Sequence, residues 1–273
     1  MRLFCRAAVL MTFVTLLPTS LSATWSVIAI DTRTGQIVIA SATCVPQASL
    51  RDFPADGLMD IQAIIVPGVG VAAAQAGVDR SRSNQTLIYE ELKAGSPPRI
   101  ILDLLLADPD IQRRQFAIVD VQGRSIAFSG TQNGAVSISY QGQAPGSQIL
   151  YSAQGNILAS DAVVYSAAEA LEQAEGSMLD KVMAAMEAAD AEGGDRRCTC
   201  ETEPLPVTPC NGKKPHVPYL LAANADDPEG NSFNDGNYHV FLNVTDENIQ
   251  PNENANPVIT LRMRYDTWKA QRR

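Results

Sequence analysis

The stretch Leu21-Ser22-Ala23-Thr24-Trp25-Ser26-Val27-Ile28-Ala29-Ile30 decides how this chain is read. A secretory leader ends within it and a strand begins at once. Arg2 and Arg6 form a positive start, Ala7 to Leu17 is an apolar run too short to span a bilayer, and Pro18 to Ala23 is a small-residue cleavage region. Residues 1–23 are therefore expected to be a signal peptide, with a cut after Ser22 competing against the cut after Ala23. The second cut makes Thr24 the new N-terminus. A threonine with a free α-amine carries a nucleophile and a base on one residue. After Thr24 the pattern alternates. Trp25, Val27 and Ala29 share one face, and Ser26, Ile28 and Ile30 the other, both mainly apolar. The next strand, Gln36 to Ala42, is apolar on both faces in its middle, which predicts burial between layers.

Working outward, Asp31 to Gly35 is a turn and Gln36 to Ala42 a second strand. Ile61 to Val66 and Val69 to Gln75 form a hairpin around Pro67-Gly68. The lone Gly68-Val69-Gly70 reads as a turn, since no helix follows to make a phosphate cradle. Two helices come next, Ser83 to Lys93 and one running from Pro97-Pro98 through Leu106. Strands are expected at Arg114 to Val121, Ser125 to Ser129, Ala135 to Tyr140 and Gln148 to Ala153. Helices follow at Asp161 to about Ala174 and Ser177 to Ala189. Strands, two helices, strands, two helices is not the single alternation of a doubly wound parallel fold. It predicts an α+β fold: two antiparallel sheets sharing a buried interface, with a helix pair on each outside, a four-layer α-β-β-α sandwich.

The texture changes after Gly193-Gly194-Asp195. Cys198 to Pro218 is a Cys- and Pro-rich loop, Tyr238 to Val244 a strand, and Asn256-Pro257 starts a last helix carrying Leu261, Tyr265 and Trp268. The expected organisation is a main domain at 24–197 with 198–273 docked on it. The acidic run around Asp226 and Asp235 fails the spacing of a calcium loop and reads as solvated.

The sequence has 21 basic and 30 acidic residues, and loss of Arg2 and Arg6 takes the net charge of −9 two units lower. That acidity argues against nucleic acid or an anionic membrane as partner. Beyond the leader no segment is long enough to cross a membrane. Four cysteines remain after it: Cys44, Cys198, Cys200 and Cys210. In an exported chain they favour disulfides, with the pairing open. The rival is a metal site of Cys198, Cys200, Cys210 and His216, disfavoured in an oxidising compartment. No metal or other cofactor is expected.

At this point the motifs resemble a bacterial family, Domain of Unknown Function 1028, which looks like a branch of the N-terminal-nucleophile (Ntn) hydrolase fold. The similar stretches are Thr24 to Gly35, Gly68 to Ala76, Arg113 to Gly123, Gln154 to Ala159 and Gly193-Gly194-Asp195-Arg196-Arg197. The helix from Pro257 fits the family's tail. Two departures stand out: the insertion Cys198 to Pro218, and Ala42 to Gln47, which lacks the lysine-bearing pattern of relatives. The resemblance implies an Ntn-hydrolase-like domain in which Thr24 opens a strand and points into the cleft between the sheets.

The candidate site follows. The Thr24 amine would take the hydroxyl proton through a water, since an α-amine titrates near operating pH. Ser41, at the end of the second strand, would orient or donate to that amine. Asn156, with the Gly155 amide, would form an oxyanion hole where a strand meets a helix. Gln75 at similar depth, Gly155 and Asp195 would contact substrate, and Asp195 with Arg196 would form a buried pair near the site or cap a helix end. His216 and His239, the histidines of the mature chain, have no Gly-x-Ser-x-Gly elbow to serve. The expected activity is cleavage of an amide in a small-molecule or peptide-like substrate by a secreted or periplasmic protein. The alternatives are a non-catalytic binding domain of the same fold and a disulfide-stapled envelope protein. A homo-oligomer stays open.

Overall fold

The computed structural model describes residues 24–53, 55–198 and 215–272. The leader, Cys200 and Cys210 lie outside the described residues. The elements run β1 (Thr24–Asp31), β2 (Ile37–Thr43), α1 (Gln47–Leu50), α2 (Leu58–Gln62), β3 (Ala63–Val66), β4 (Gly70–Ala76), α3 (Ser83–Lys93) and α4 (Pro98–Leu105). After a short 3-10 turn come β5 (Arg114–Asp120), β6 (Ser125–Ser129), β7 (Ile138–Gln143), β8 (Ile149–Asn156), α5 (Ala162–Gln173) and α6 (Met178–Ala191). β9 (Val217–Ala223), β10 (Val240–Asn243) and α7 (Pro257–Ala270) complete the chain.

The strands form two antiparallel sheets. One has six strands in the order β10-β9-β2-β1-β8-β7, the other four in the order β3-β4-β5-β6. Three apolar cores follow from the two-residue period of the strands. Trp25, Val27 and Ala29 pack with Val163, Leu171, Val182 and Met186 of α5 and α6. The other face of β1, through Ile28 and Ile30, meets Ile65, Val71, Ala73 and Val119 of the second sheet. That sheet's far face, through Ile64, Ala72, Phe116 and Ile118, packs on Ile88, Leu92, Ile101 and Leu105 of α3 and α4. β1 and β2 are thus buried on both sides, and the expected alternation of Trp25 against Ser26 holds.

Some expectations shift. Ile61 and Gln62 end the helix Leu58–Gln62 instead of starting a strand, with Ile61 in the inter-sheet core and Gln62 bonded to polar partners there. β7 begins at Ile138 instead of Ala135. The region after residue 215 supplies interior structure: β9 pairs with β2 from Ile37↔Ala223 to Thr43↔Val217, and β10 lies outside it. Cys44 is joined to Cys198 with Cα atoms 5.3 Å apart, which settles one of the open pairings and removes Cys198 from any metal set. No helix among the described residues is long and apolar enough to cross a membrane.

Candidate functional site

The register of the six-stranded sheet stacks side chains in rows across its inner face. Thr43, Thr24 and Asn156 form one row. Tyr219, Ser41, Ser26 and Gln154 form the next, and Leu221, Ile39, Ile28 and Ser152 the one after. Going toward the start of β1, the inner face changes from apolar to polar. Burying so much polarity is costly unless each group finds a partner.

Glutamines of the opposite sheet and of α2 meet part of this polarity, while the Gln154 side-chain amide and the Ser152 hydroxyl have no hydrogen-bond partner among the described residues. Gln75 of β4 accepts at Oε1 from Ser26 Oγ (2.7 Å) and Gln62 Nε2 (2.6 Å). Its Nε2 donates to the Thr24 carbonyl (3.1 Å) and to Gln115 Oε1 (2.8 Å). Gln62 Oε1 accepts from the Tyr219 hydroxyl (2.9 Å), and Gln115 Nε2 donates to the Gly155 carbonyl (2.9 Å). Burial pushes the Tyr219 hydroxyl well above its ordinary pKa, so it stays a donor. The result is a continuous buried amide chain that ties the two sheets together and ends on the backbone of Thr24 and Gly155.

Thr24 is 2% exposed, and among the described residues nothing hydrogen-bonds its hydroxyl. It lines a cavity of about 10 Å³ with Thr43, Gln62 and Gln75 on one side and Leu50, Leu58 and Val78 on the other. That is room for about one water. A cap closes it. Arg80 lies over the Phe53 ring at 4.7 Å and donates to the Asp52 carbonyl (2.6 Å), while Arg82 donates to the Phe53 carbonyl (2.7 Å). The segment after α1 is thereby clipped to the segment after β4.

Of the expected site residues, Thr24 and Gln75 line this cavity. Ser41 lies one row deeper than Thr24, opposite Ser26, and its hydroxyl donates to the Trp25 carbonyl (2.7 Å). The residue across the hairpin from Thr24 is Thr43. Asn156 is fully buried opposite Thr24 on β8, and Ile157 after it takes a left-handed φ of 52°. Gly155 is a packing glycine as well: a Cβ there would sit 2.6 Å from Leu158. Asp195, also fully buried, accepts from the Cys44 amide (3.0 Å) and twice from the Arg197 guanidinium (3.1 and 2.7 Å). Its ion-pair partner is Arg197, not the expected Arg196, because Arg197 Nε and its backbone amide both reach the same carboxyl oxygen. Asp195 thus pins the chain just after Thr43, through the residue that also carries the disulfide. Gly194 beside it has φ of 45° and faces the Trp25 ring, which a Cβ would approach to 2.5 Å. The Gly193-Gly194-Asp195 run is explained by that close approach and that clamp.

Thr43, Gln62, Gln115 and Tyr219 were not singled out in the sequence. For Gln115 the signal was present: an amide directly before the apolar run Phe116-Ala117-Ile118-Val119 of a buried strand. His216 is buried with Nδ1 3.9 Å from Asp246, and burial lowers its pKa. His239 meets Trp268 edge-on at 5.4 Å. Neither lines the Thr24 cavity.

A model of a family of unknown function, DUF1028, matches residues 24–217. No curated protein matches the chain. Among solved structures, a Silicibacter pomeroyi protein of the same family superposes with a TM-score of 0.63 at 20% identity, over 90% of this chain and 89% of the other.

Proposed function

This chain belongs to the DUF1028 family, and we propose that it is a secreted, Ntn-hydrolase-like amidohydrolase whose nucleophile is Thr24, exposed by signal cleavage after Ala23. The observation that carries the reading is the setting of Thr24. It opens the central strand, its hydroxyl faces a cavity between the sheets, and its carbonyl is anchored by Gln75. The stacking of three cores, helices on sheet, sheet on sheet, sheet on helices, fits a four-layer α-β-β-α sandwich of Ntn type. The Cys44–Cys198 disulfide fits an oxidising compartment outside the cytoplasm.

In the proposed reaction the free amine of Thr24 takes the Oγ proton through a water as Oγ attacks the substrate carbonyl. Collapse breaks the C–N bond, the proton passes to the leaving amine, and water later hydrolyses the ester. Asn156 and the Gly155 backbone are the proposed oxyanion stabilisers, Gln75 fixes the nucleophile's own backbone, and Ser41 fixes the carbonyl of the next residue. The substrate is an amide in a small molecule or peptide, with no metal or other cofactor in the reaction.

One observation favours the runner-up, a non-catalytic binding domain: the Thr24 cavity holds about one water, so its walls must part before any substrate enters. N-terminal sequencing of the exported protein decides the first condition. A start at Ala23 or further upstream removes the nucleophile. With a Thr24 start, an electrophilic threonine trap is expected to label Thr24 at one equivalent. An unlabelled Thr24, under conditions where a control Ntn hydrolase is labelled, leaves the binding reading.

A further inference from the structure

Two grooves open beside the Thr24 cavity. One, of about 260 Å³, is lined by Phe53, Arg80, Asp110, Arg113 and Arg114. The other, of about 330 Å³, is lined by Asp52, Phe53, Arg80 and Arg197. They share Phe53 and Arg80, and each adjoins the Thr24 cavity through one common wall residue, Val78 and Val45 respectively. Arg80 is thus common to the two grooves that border the Thr24 cavity.

The charges here are unusual for an acidic chain. Four guanidiniums line the grooves against the carboxylates Asp52 and Asp110. Asp108 neutralises Arg114 at 2.8 Å, and Asp195 neutralises Arg197 at 2.7 Å. Arg80 is different. It is exposed, its guanidinium is held by the Asp52 carbonyl and the Phe53 ring, and among the described residues it has no carboxylate partner. A guanidinium fixed in place with its charge unanswered is a preformed fork for a carboxylate. The cavity next to it complements this with apolar walls from Leu50, Leu58, Ile61, Ala74 and Val78 and very little space.

We infer that Arg80 anchors a carboxylate of the substrate while the Thr24 cavity takes a small aliphatic side chain. The substrate class is then an amide of a small aliphatic amino acid that keeps its free carboxylate. The inference rests on the reading of Thr24 as the reacting residue.

Calorimetric titration of the purified protein with N-acetylalanine, N-acetylalaninamide, N-acetylphenylalanine and inorganic phosphate tests it. N-acetylalanine is expected to bind the wild type about tenfold more tightly than any of the other three, a difference that shrinks with added salt. Arg80→Gln should lose about tenfold for N-acetylalanine and nothing for the neutral amide. Arg33→Gln, at the far end of β1 in an exposed turn, should bind as the wild type does. Equal binding of the acid and its amide by the wild type overturns the inference even if Arg80→Gln does not fold. So does undiminished binding by folded Arg80→Gln, phosphate binding as tight as N-acetylalanine, or no binding of any probe. Labelling of Thr24 reads the underlying assignment separately. Label without carboxylate preference removes the anchor alone, and carboxylate preference without label removes the nucleophile alone.

Discussion

Gln75 holds four partners at once: Ser26, Gln62, Gln115 and the Thr24 carbonyl. Gln75→Leu keeps the volume and removes every one of these bonds. It strands the amides of Gln62 and Gln115 in a space with no water to replace the loss. The expected cost is about 2–4 kcal/mol in urea unfolding, against about 1 kcal/mol for a single neutral hydrogen bond. A loss below about 1 kcal/mol would mean the amide chain is not cooperative. Single residues were legible in the sequence where they interrupt a pattern. Thr24 stood out at a strand start and Gln75 at a strand end. Gln62 and Tyr219 did not, because their roles depend on each other across 157 positions and no local pattern joins them. The functional assignment of Ser41 failed to foresee its partner for the same reason. Its face is fixed by the strand period, but which carbonyl it reaches depends on register.

Elements were legible where their signals were local. α3 spans Ser83–Lys93 and β6 spans Ser125–Ser129, as the punctuation of the sequence predicts. β9 was hidden. It contains Pro218, and proline in a strand argues for an edge, yet β9 lies between β2 and β10. α6 and α7 meet through a charge that makes their docking depend on pH. Burial pushes the Asp180 carboxyl up, but bonds from Lys269 (2.6 Å), Ser177 (2.8 Å) and Tyr265 (2.9 Å) outweigh it and hold the pKa at about 2, below the ordinary 3.8. A depressed carboxyl stabilises the fold above its unfolded pKa and loses that contribution as it protonates in the folded state. Asp180 should therefore contribute about 1–2 kcal/mol above roughly pH 4, falling away between about pH 4 and pH 2. The gap in unfolding free energy between wild type and Asp180→Asn is expected to close over that window. A gap unchanged at pH 2 would place the stabilisation elsewhere.

For the whole molecule, the pairing of hairpins and helix pairs announced two antiparallel sheets, and the sheets are there. The sequence could not say that the region beyond residue 215 adds two strands to the sheet that carries Thr24. Pairing between β2 and β9 joins segments that no connecting turn brings together. The Cys44–Cys198 bond spans 154 residues and encloses most of the strands. Removing it with Cys44→Ala/Cys198→Ala is expected to cost about 3–5 kcal/mol, mainly by freeing the unfolded chain. Thiol reductant should lower the unfolding midpoint of the wild type and leave the double variant unmoved. The placement of β1 has a further result in time. It is the first strand of the fold to be synthesised, yet its neighbours β2 and β8 lie on either side, and β8 ends at Asn156. A growing chain carries Val27-Ile28-Ala29-Ile30 with one flank open until more than half of the polypeptide exists. Closing such distant pairs is slow. A chain built in this order closes its central sheet only after β8 has been made.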